Sequence, residues 1–368
     1  MKIEAITVRE LQMPLKHFFE TSFGRTTQRR ALLVTVHCEG VEGWGECVAG
    51  EGPFYSSEWI ETAWSTLREF LAPTLIGKTV SQAKDTAALM SHVRGHHMAK
   101  AALENAVWDA EAKQKQVPLW KLLGGTQKEI ACGVSIGIQD SHEQLLEKIE
   151  KELAAGYQRI KVKVKPGWDV EVLEKIRKRW PEILLSCDAN SAYRPCDLEH
   201  LRKFDDFNLL MIEQPLWDDD IYHHARLQCQ LRTAICLDES IRHRRDAEQA
   251  IELGACKIVN IKTGRLGGFT ESIAVHDLCQ RHNIPVWCGG MLETGIGRAH
   301  NVALSTLPNF SLPGDVSSSK RYWEADIVEP EIEVSAQGTI RVPHKPGNGY
   351  EIRTGLIARL TTRSAEIR

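Results

Sequence analysis

From residue 131 onward, short apolar runs recur at a nearly fixed interval, and several end in a charged residue. RIKVKV, LLSCD, LLMIE, AICLD and KIVNIK carry Lys163, Asp188, Glu213, Asp238 and Lys262 at successive spacings of 25, 25, 25 and 24 residues. ACGVSI precedes this series, PVWCGG follows it, and FSLPGD is a candidate eighth run. Amphipathic helical stretches fill the intervals. Apolar strands that alternate with helices form parallel βαβ units. An open doubly wound sheet can also be built this way, but about eight units of near-constant length favour a closed barrel. The fold class expected is α/β, a modified (β/α) TIM-type barrel with function at the C-terminal strand ends.

The flanks have a different texture. KIEAITVREL, RALLVTVHC and GVEGWGECV read as three strands with Gly-marked turns. SSEWIETAWSTLREFLAPTL reads as a helix after a Ser cap, and MAKAALENAVWDAEAKQ is a strong Ala-rich helix. After residue 325 the pattern turns strand-like and rich in Gly and Pro. The expected division is an α+β capping domain at 1–125, the barrel at 126–325, and a tail at 326–368 that packs back on the cap.

At 368 residues and 42% hydrophobic content the chain can bury a large core. A net charge of -3 gives no polyanion-binding surface, so no nucleic-acid partner is expected. No apolar run is long enough to span a membrane, and MKIEAITVRELQM is not a secretory signal. The ten cysteines are scattered without a C-x-x-C pair, which argues against structural zinc and for reduced, buried thiols in a cytoplasmic protein.

Asp188, Glu213 and Asp238 close three consecutive strands, so their side chains meet on one rim. Any one could simply cap the helix that follows. Three at equal spacing would repel one another unless a cation sits among them. Carboxylate oxygens without His or Cys suit a hard ion such as Mg²⁺ or Mn²⁺. Lys161 and Lys163, two apart on a strand, share a face, while Ile160, Val162 and Val164 face the covering helices. Two lysines inside a barrel need acids to compensate them. Lys262 closes the strand after Asp238, so lysines flank the acids on both sides. This set suits removal of a proton beside a carboxylate: a cation steadies the enediolate, and an amine whose pKa is lowered by a neighbouring charge serves as base.

K-x-K on one strand followed by SCDAN, MIEQP, CLDES and NIKTGRLGG resembles the enolase superfamily, in its muconate-lactonising-type branch. IKVKVKPGWDVEVL and LPGDVSSSKRYWEADIV resemble the o-succinylbenzoate synthase and N-succinylamino acid racemase family, and the likeness runs almost end to end. It implies Asp188, Glu213 and Asp238 as ligands of Mg²⁺ or Mn²⁺, and Lys163 as acid/base with Lys161 beside it. Lys262 then lies on the opposite face of a small carboxylate substrate with a succinyl arm. Synthase chemistry, a dehydration in menaquinone biosynthesis, is the main expectation, and N-acylamino acid racemisation is the alternative. A dipeptide epimerase fits less well, because the D-x-D after the last stave of such relatives is here Asp315-Val316-Ser317. A non-catalytic metal-binding barrel would not need the lysines. The resemblance also implies a homo-oligomer, and lid loops at FETSFG (19–24) and GEGPFYSS (50–57) bearing Phe23 and Tyr55. Arg265 stands where racemase-competent members carry Arg. Ser135 and Asn190 are either carboxylate binders or turn residues, and Gly290, Met291 and Glu293 either approach a ligand or make a tight turn. His96-His97 and His223-His224 are expected at the surface, and Asp218, Asp219 and Asp220 as a solvated first helical turn.

Overall fold

A computed structural model describes residues 1–368. Three antiparallel strands open it: β1 (Ala5–Thr21), β2 (Gly24–Cys38) and β3 (Val41–Cys47). They are longer than the alternation suggests. FETSFG, expected as a loop, is the tip of the β1–β2 hairpin, with Phe19 opposite Thr26 and Thr21 opposite Gly24. Phe and Thr favour extended backbone, so the ladder runs to the turn. Helix α1 (Ile60–Thr66) starts at Trp59, whose backbone N–H donates to Thr62 Oγ1 (3.0 Å) in place of the expected Ser cap.

Helix α2 (His97–Gln114) is the Ala-rich segment. It lies on β3 at backbone contact. A Cβ on Gly43 or Gly45 would fall 1.9 Å from the carbonyl oxygens of Ala106 or Ala102. Small residues on both elements let the helix approach this closely.

Seven parallel strands follow: β4 (Gly133–Ile136), β5 (Arg159–Lys163), β6 (Leu185–Asp188), β7 (Ile212–Glu213), β8 (Ile235–Leu237), β9 (Ile258–Ile261) and β10 (Val286–Cys288). Each pairs with the next in sequence order. The outer helices include α3 (His142–Ala154), α4 (Val170–Arg179), α5 (Ile221–Gln228), α6 (Arg244–Leu253), α7 (Phe269–Arg281) and α8 (Gly295–Leu304). The eighth stave, read as a strand at FSLPGD, is instead an extended segment that bridges the two ends of the sheet. Phe310 bridges Val286, and Gly314 bridges Cys132. Gly133 N donates to Gly314 O (2.7 Å) and Asp315 N to Cys288 O (2.8 Å). Pro313 has no N–H to give, so a regular ladder cannot form there. Met211, Cys236, Ile258 and Trp287 pack together as the barrel floor.

In the tail, α9 (Thr354–Leu360) leads into β11 (Thr361–Ile367), which pairs antiparallel with β1. A short strand at Thr339–Arg341 pairs with Glu129–Ala131. Trp323, Ile327, Val328 and Ile357 cover Leu11, Met13, Leu33 and Trp44 on one face of the first sheet. All ten thiols are free, and only Cys196 and Cys229 are exposed. No helix is long and apolar enough to cross a membrane. Asp218 and Asp219 are exposed, and Asp220 caps α5 by accepting from His223 N (2.9 Å). Contrary to expectation, His224 is buried: its Nε2 accepts from Leu216 N (3.1 Å) while Nδ1 meets Asp220 O (2.6 Å). A single helical turn carries His223 outward and His224 inward, which the sequence pair does not reveal.

Candidate active site

Strand register brings the charged residues into rows. Lys163 is level with Asp188, and Asp188 with Glu213. Asp238 follows β8 by one residue and Lys262 follows β9 by one. Lys163 is thus on the second stave of eight and Lys262 after the sixth, across the ring from each other. All five side chains are buried.

Hydrogen bonds tie the set together. Lys163 Nζ donates to Asp188 Oδ2 (2.5 Å) and Asn190 Oδ1 (2.9 Å). Lys262 Nζ donates to Asp238 Oδ2 (2.7 Å) and to the Tyr55 hydroxyl (3.2 Å). Lys161 Nζ reaches Glu213 (2.6 Å), Asp315 (2.7 Å) and Asp188 (3.3 Å). Arg265 grips Asp238 as well. The three carboxylates therefore do not close on one point. Like charges separate, and each is drawn to the nearest amine or guanidinium.

Glu213 has an acid on either side and one amine, Lys161, as its ion-pair partner. Burial and the neighbouring Asp188 and Asp238 push its pKa up to about 7, against the pull of Lys161. Burial also raises Asp188 and Asp238, but the lysines and, at Asp238, Arg265 outweigh it and hold both below the ordinary range. Burial would depress Lys262, and Asp238 reverses this. Glu239 is buried beside the group with its Oε2 unpartnered. Asp188, Glu213 and Asp238 offer only hard carboxylate oxygens, a donor set that fits Mg²⁺ or Mn²⁺.

A cavity separates this rim from the cap. Lys163, Lys262, Asn190, Gly290 and Met291 line its barrel side, and Phe19, Phe23, Arg29, Glu51 and Tyr55 its cap side. Other candidates lie off its wall. Ser135 is buried beside Lys161 with its hydroxyl unpartnered. Arg265 is enclosed behind Asp238, donating to Ile241 O (2.7 Å). Glu293 accepts from Met291 N and Asn301 Nδ2, both at 2.8 Å, and so shapes the loop carrying Gly290 and Met291.

Besides Arg29 and Glu51 on the cap side, four polar residues around the charged centre are not evident from the sequence pattern. Asn260 Nδ2 donates to Glu213 Oε1 (2.7 Å), and Arg159 Nη2 donates to Asp315 Oδ1 (2.8 Å). Both were within reach of the period-two rule: Asn260 is two before Lys262, and Arg159 two before Lys161. Glu239 and Gln214 lie beyond strand ends, where alternation no longer applies.

A capped parallel barrel with buried amines on opposite staves and acids between them defines a barrel enzyme whose polar centre is at the C-terminal strand ends. The comparisons make the class specific. Residues 2–124 match the mandelate racemase / muconate lactonizing enzyme N-terminal domain, and residues 144–356 match the enolase C-terminal domain-like family. The chain belongs to the enolase superfamily. It is 52% identical over 362 residues to an o-succinylbenzoate synthase of Geobacillus kaustophilus, covering 98% of this chain and 96% of that one. It is 47% identical to an N-succinylamino acid racemase of Amycolatopsis sp, covering 98% of each. A solved enolase superfamily member from Listeria innocua superposes with a TM-score of 0.96 at 39% identity, over 100% of this chain and 99% of that one. A dipeptide epimerase from Cytophaga hutchinsonii, solved with Mg and D-Ala-L-Val, gives a TM-score of 0.91 at 26% identity, over 100% of both chains.

Proposed function

We propose that this enzyme is an o-succinylbenzoate synthase, forming that menaquinone precursor by dehydration. The observation that carries the reading is that Lys163 and Lys262, from opposite staves, line one cavity and are bound to the buried acids Asp188 and Asp238, with Glu213 on the strand between. Asp188, Glu213 and Asp238 would hold Mg²⁺ or Mn²⁺, which supplies positive charge beside the substrate carboxylate as the enediolate forms. Lys163, as the free amine, takes the proton from the carbon next to that carboxylate. The resulting ammonium returns the proton to the departing hydroxyl, which leaves as water. Lys262 remains cationic on the other face and steadies the enediolate. Asn190 holds the Lys163 amine, and Tyr55 from the cap holds that of Lys262. Phe19 and Phe23 line the cap side of the cavity, where they would face the succinyl arm. Ten free thiols, eight of them buried, support a reducing, cytoplasmic setting.

Racemisation of N-succinylamino acids is the second reading, favoured by the same two-sided amine pair. One lysine removes the proton and the other supplies one to the opposite face. Dipeptide epimerisation gains no support, because Asp315 is committed to Arg159 and Lys161. The test is to assay both succinyl substrates on purified protein with Mg²⁺, beside Lys163→Ala. Loss of turnover by roughly 100- to 10,000-fold in the variant supports acid/base catalysis by Lys163. Parental turnover in the variant removes it.

A further inference from the structure

Glu239 has an oxygen too many. It is 6% exposed, it follows Asp238 directly, and neither the proton transfer nor the cation set requires it. Its Oε1 accepts from Asn190 Nδ2 (2.9 Å), while Oε2 has no partner. Asn190 in turn presents Oδ1 to the Lys163 amine at 2.9 Å. An Asn side chain can face either way, and the two ends differ in kind: one accepts and the other donates. Only the orientation that gives Nδ2 to Glu239 leaves Oδ1 facing the amine. The reverse orientation would set two N–H donors against an ammonium or consume the lone pair of the free base.

Both ends of the chain are held. Gln214 Oε1 accepts from Asp238 N (3.0 Å) and Ser240 N (3.2 Å), so the backbone on each side of Glu239 is clamped. Gln214 Nε2 adds a bond to Ser240 Oγ (2.7 Å). Asn190 sits at φ 42°, a left-handed conformation, with its N–H on Asp188 Oδ1 (2.9 Å). Backbone strain of this kind persists where surrounding contacts over-determine it. Lys163 otherwise has Asp188 as its partner, which the proposed reading shares with a divalent cation. Asn190 is then the contact that aims the amine.

We propose that Glu239 is a positioning residue: through Asn190 it fixes the direction of the Lys163 amine. This rests on Lys163 being the proton-transferring group. Glu239→Met removes the acceptor at similar size, and Glu239→Gln keeps one oxygen for Asn190. Turnover number and KM are measured for both variants, for Asn190→Ala and for Asn190→Ala/Glu239→Met, with Mg²⁺ affinity by calorimetry. Glu239→Met is expected to lower kcat about 10- to 100-fold with KM and Mg²⁺ affinity near parental values. Glu239→Gln restores most of the rate. The double variant is no slower than Asn190→Ala, because both act through one contact. A crystal structure of Glu239→Met is expected to show the Asn190 amide turned or the amine displaced. Parental kcat in Glu239→Met, additive losses in the double variant, or a loss of Mg²⁺ affinity that accounts for the rate would each overturn the proposal. Parental turnover in Lys163→Ala would instead sink the reading beneath it.

Discussion

Lys163 and Lys262 stand on opposite staves of one barrel and are each bound to a different carboxylate, Asp188 at 2.5 Å and Asp238 at 2.7 Å. Neither amine is interchangeable with the other, because each addresses a different face of whatever lies between them. In D₂O with an N-succinylamino acid and Mg²⁺, each lysine should exchange the α-proton of one enantiomer. Lys262→Ala is expected to retain exchange for one enantiomer and lose it for the other by roughly 100-fold or more, and Lys163→Ala to show the reverse preference. Proton NMR of the α-position reads this directly.

Asp238 compensates two buried cations, Lys262 and Arg265. Asp238→Ala leaves both unpaired. Removing one partner of a buried pair costs about 3–5 kcal/mol, so urea unfolding in chelator should show a loss of that order. Adding Mg²⁺ at 100 times its Kd should raise the stability of the parent by about 2.7 kcal/mol, and that of the variant much less.

The likeness of strand ends made the barrel and its charged centre readable, because a strand that is buried and yet ends in Asp or Lys demands a reason. Alternation alone places Lys161 and Lys163 in the interior. FSLPGD is apolar enough to read as the eighth strand, while Pro313 withholds the N–H a ladder needs. Arg265 was readable as a site residue, but its place behind Asp238 depends on a turn that spacing does not encode. Glu239 and Gln214 were invisible for a similar reason: their partners are 49 and 24 to 26 residues away and lie past the strand ends. The depth of the cap hairpin was also missed, since Gly24 reads as a loop residue and is in fact one side of a tight turn.

Glu104 lies mid-helix in α2, fully buried, with its carboxylate accepting from Thr270 N (3.1 Å) and Trp108 Nε1 (3.3 Å). Burial pushes its pKa up to about 7. The folded state then holds a proton that the unfolded chain has released, so this group's contribution to stability falls as pH rises from its unfolded pKa towards 7. The slope is at most about 1.4 kcal/mol per pH unit. Glu104→Gln keeps an acceptor and removes the titration. Its stability relative to the parent should rise with pH between about 5 and 7 and level off above, as read by denaturant midpoints across that range.

Gly45 lets α2 rest on β3, and a methyl group there would meet the Ala102 carbonyl. Backbone atoms cannot step aside as a side chain can. Gly45→Ala should cost about 1–3 kcal/mol and lower the melting temperature, whereas Gly355→Ala, with open space around it, should cost far less.

The most direct test of the account is a crystal structure with Mg²⁺ and o-succinylbenzoate bound. The expected result is the cation on Asp188, Glu213 and Asp238, with the ring carboxylate beside it and the Lys163 and Lys262 amines on opposite faces of the ring. A cation bound elsewhere, or both amines on the same side of the ligand, would contradict it.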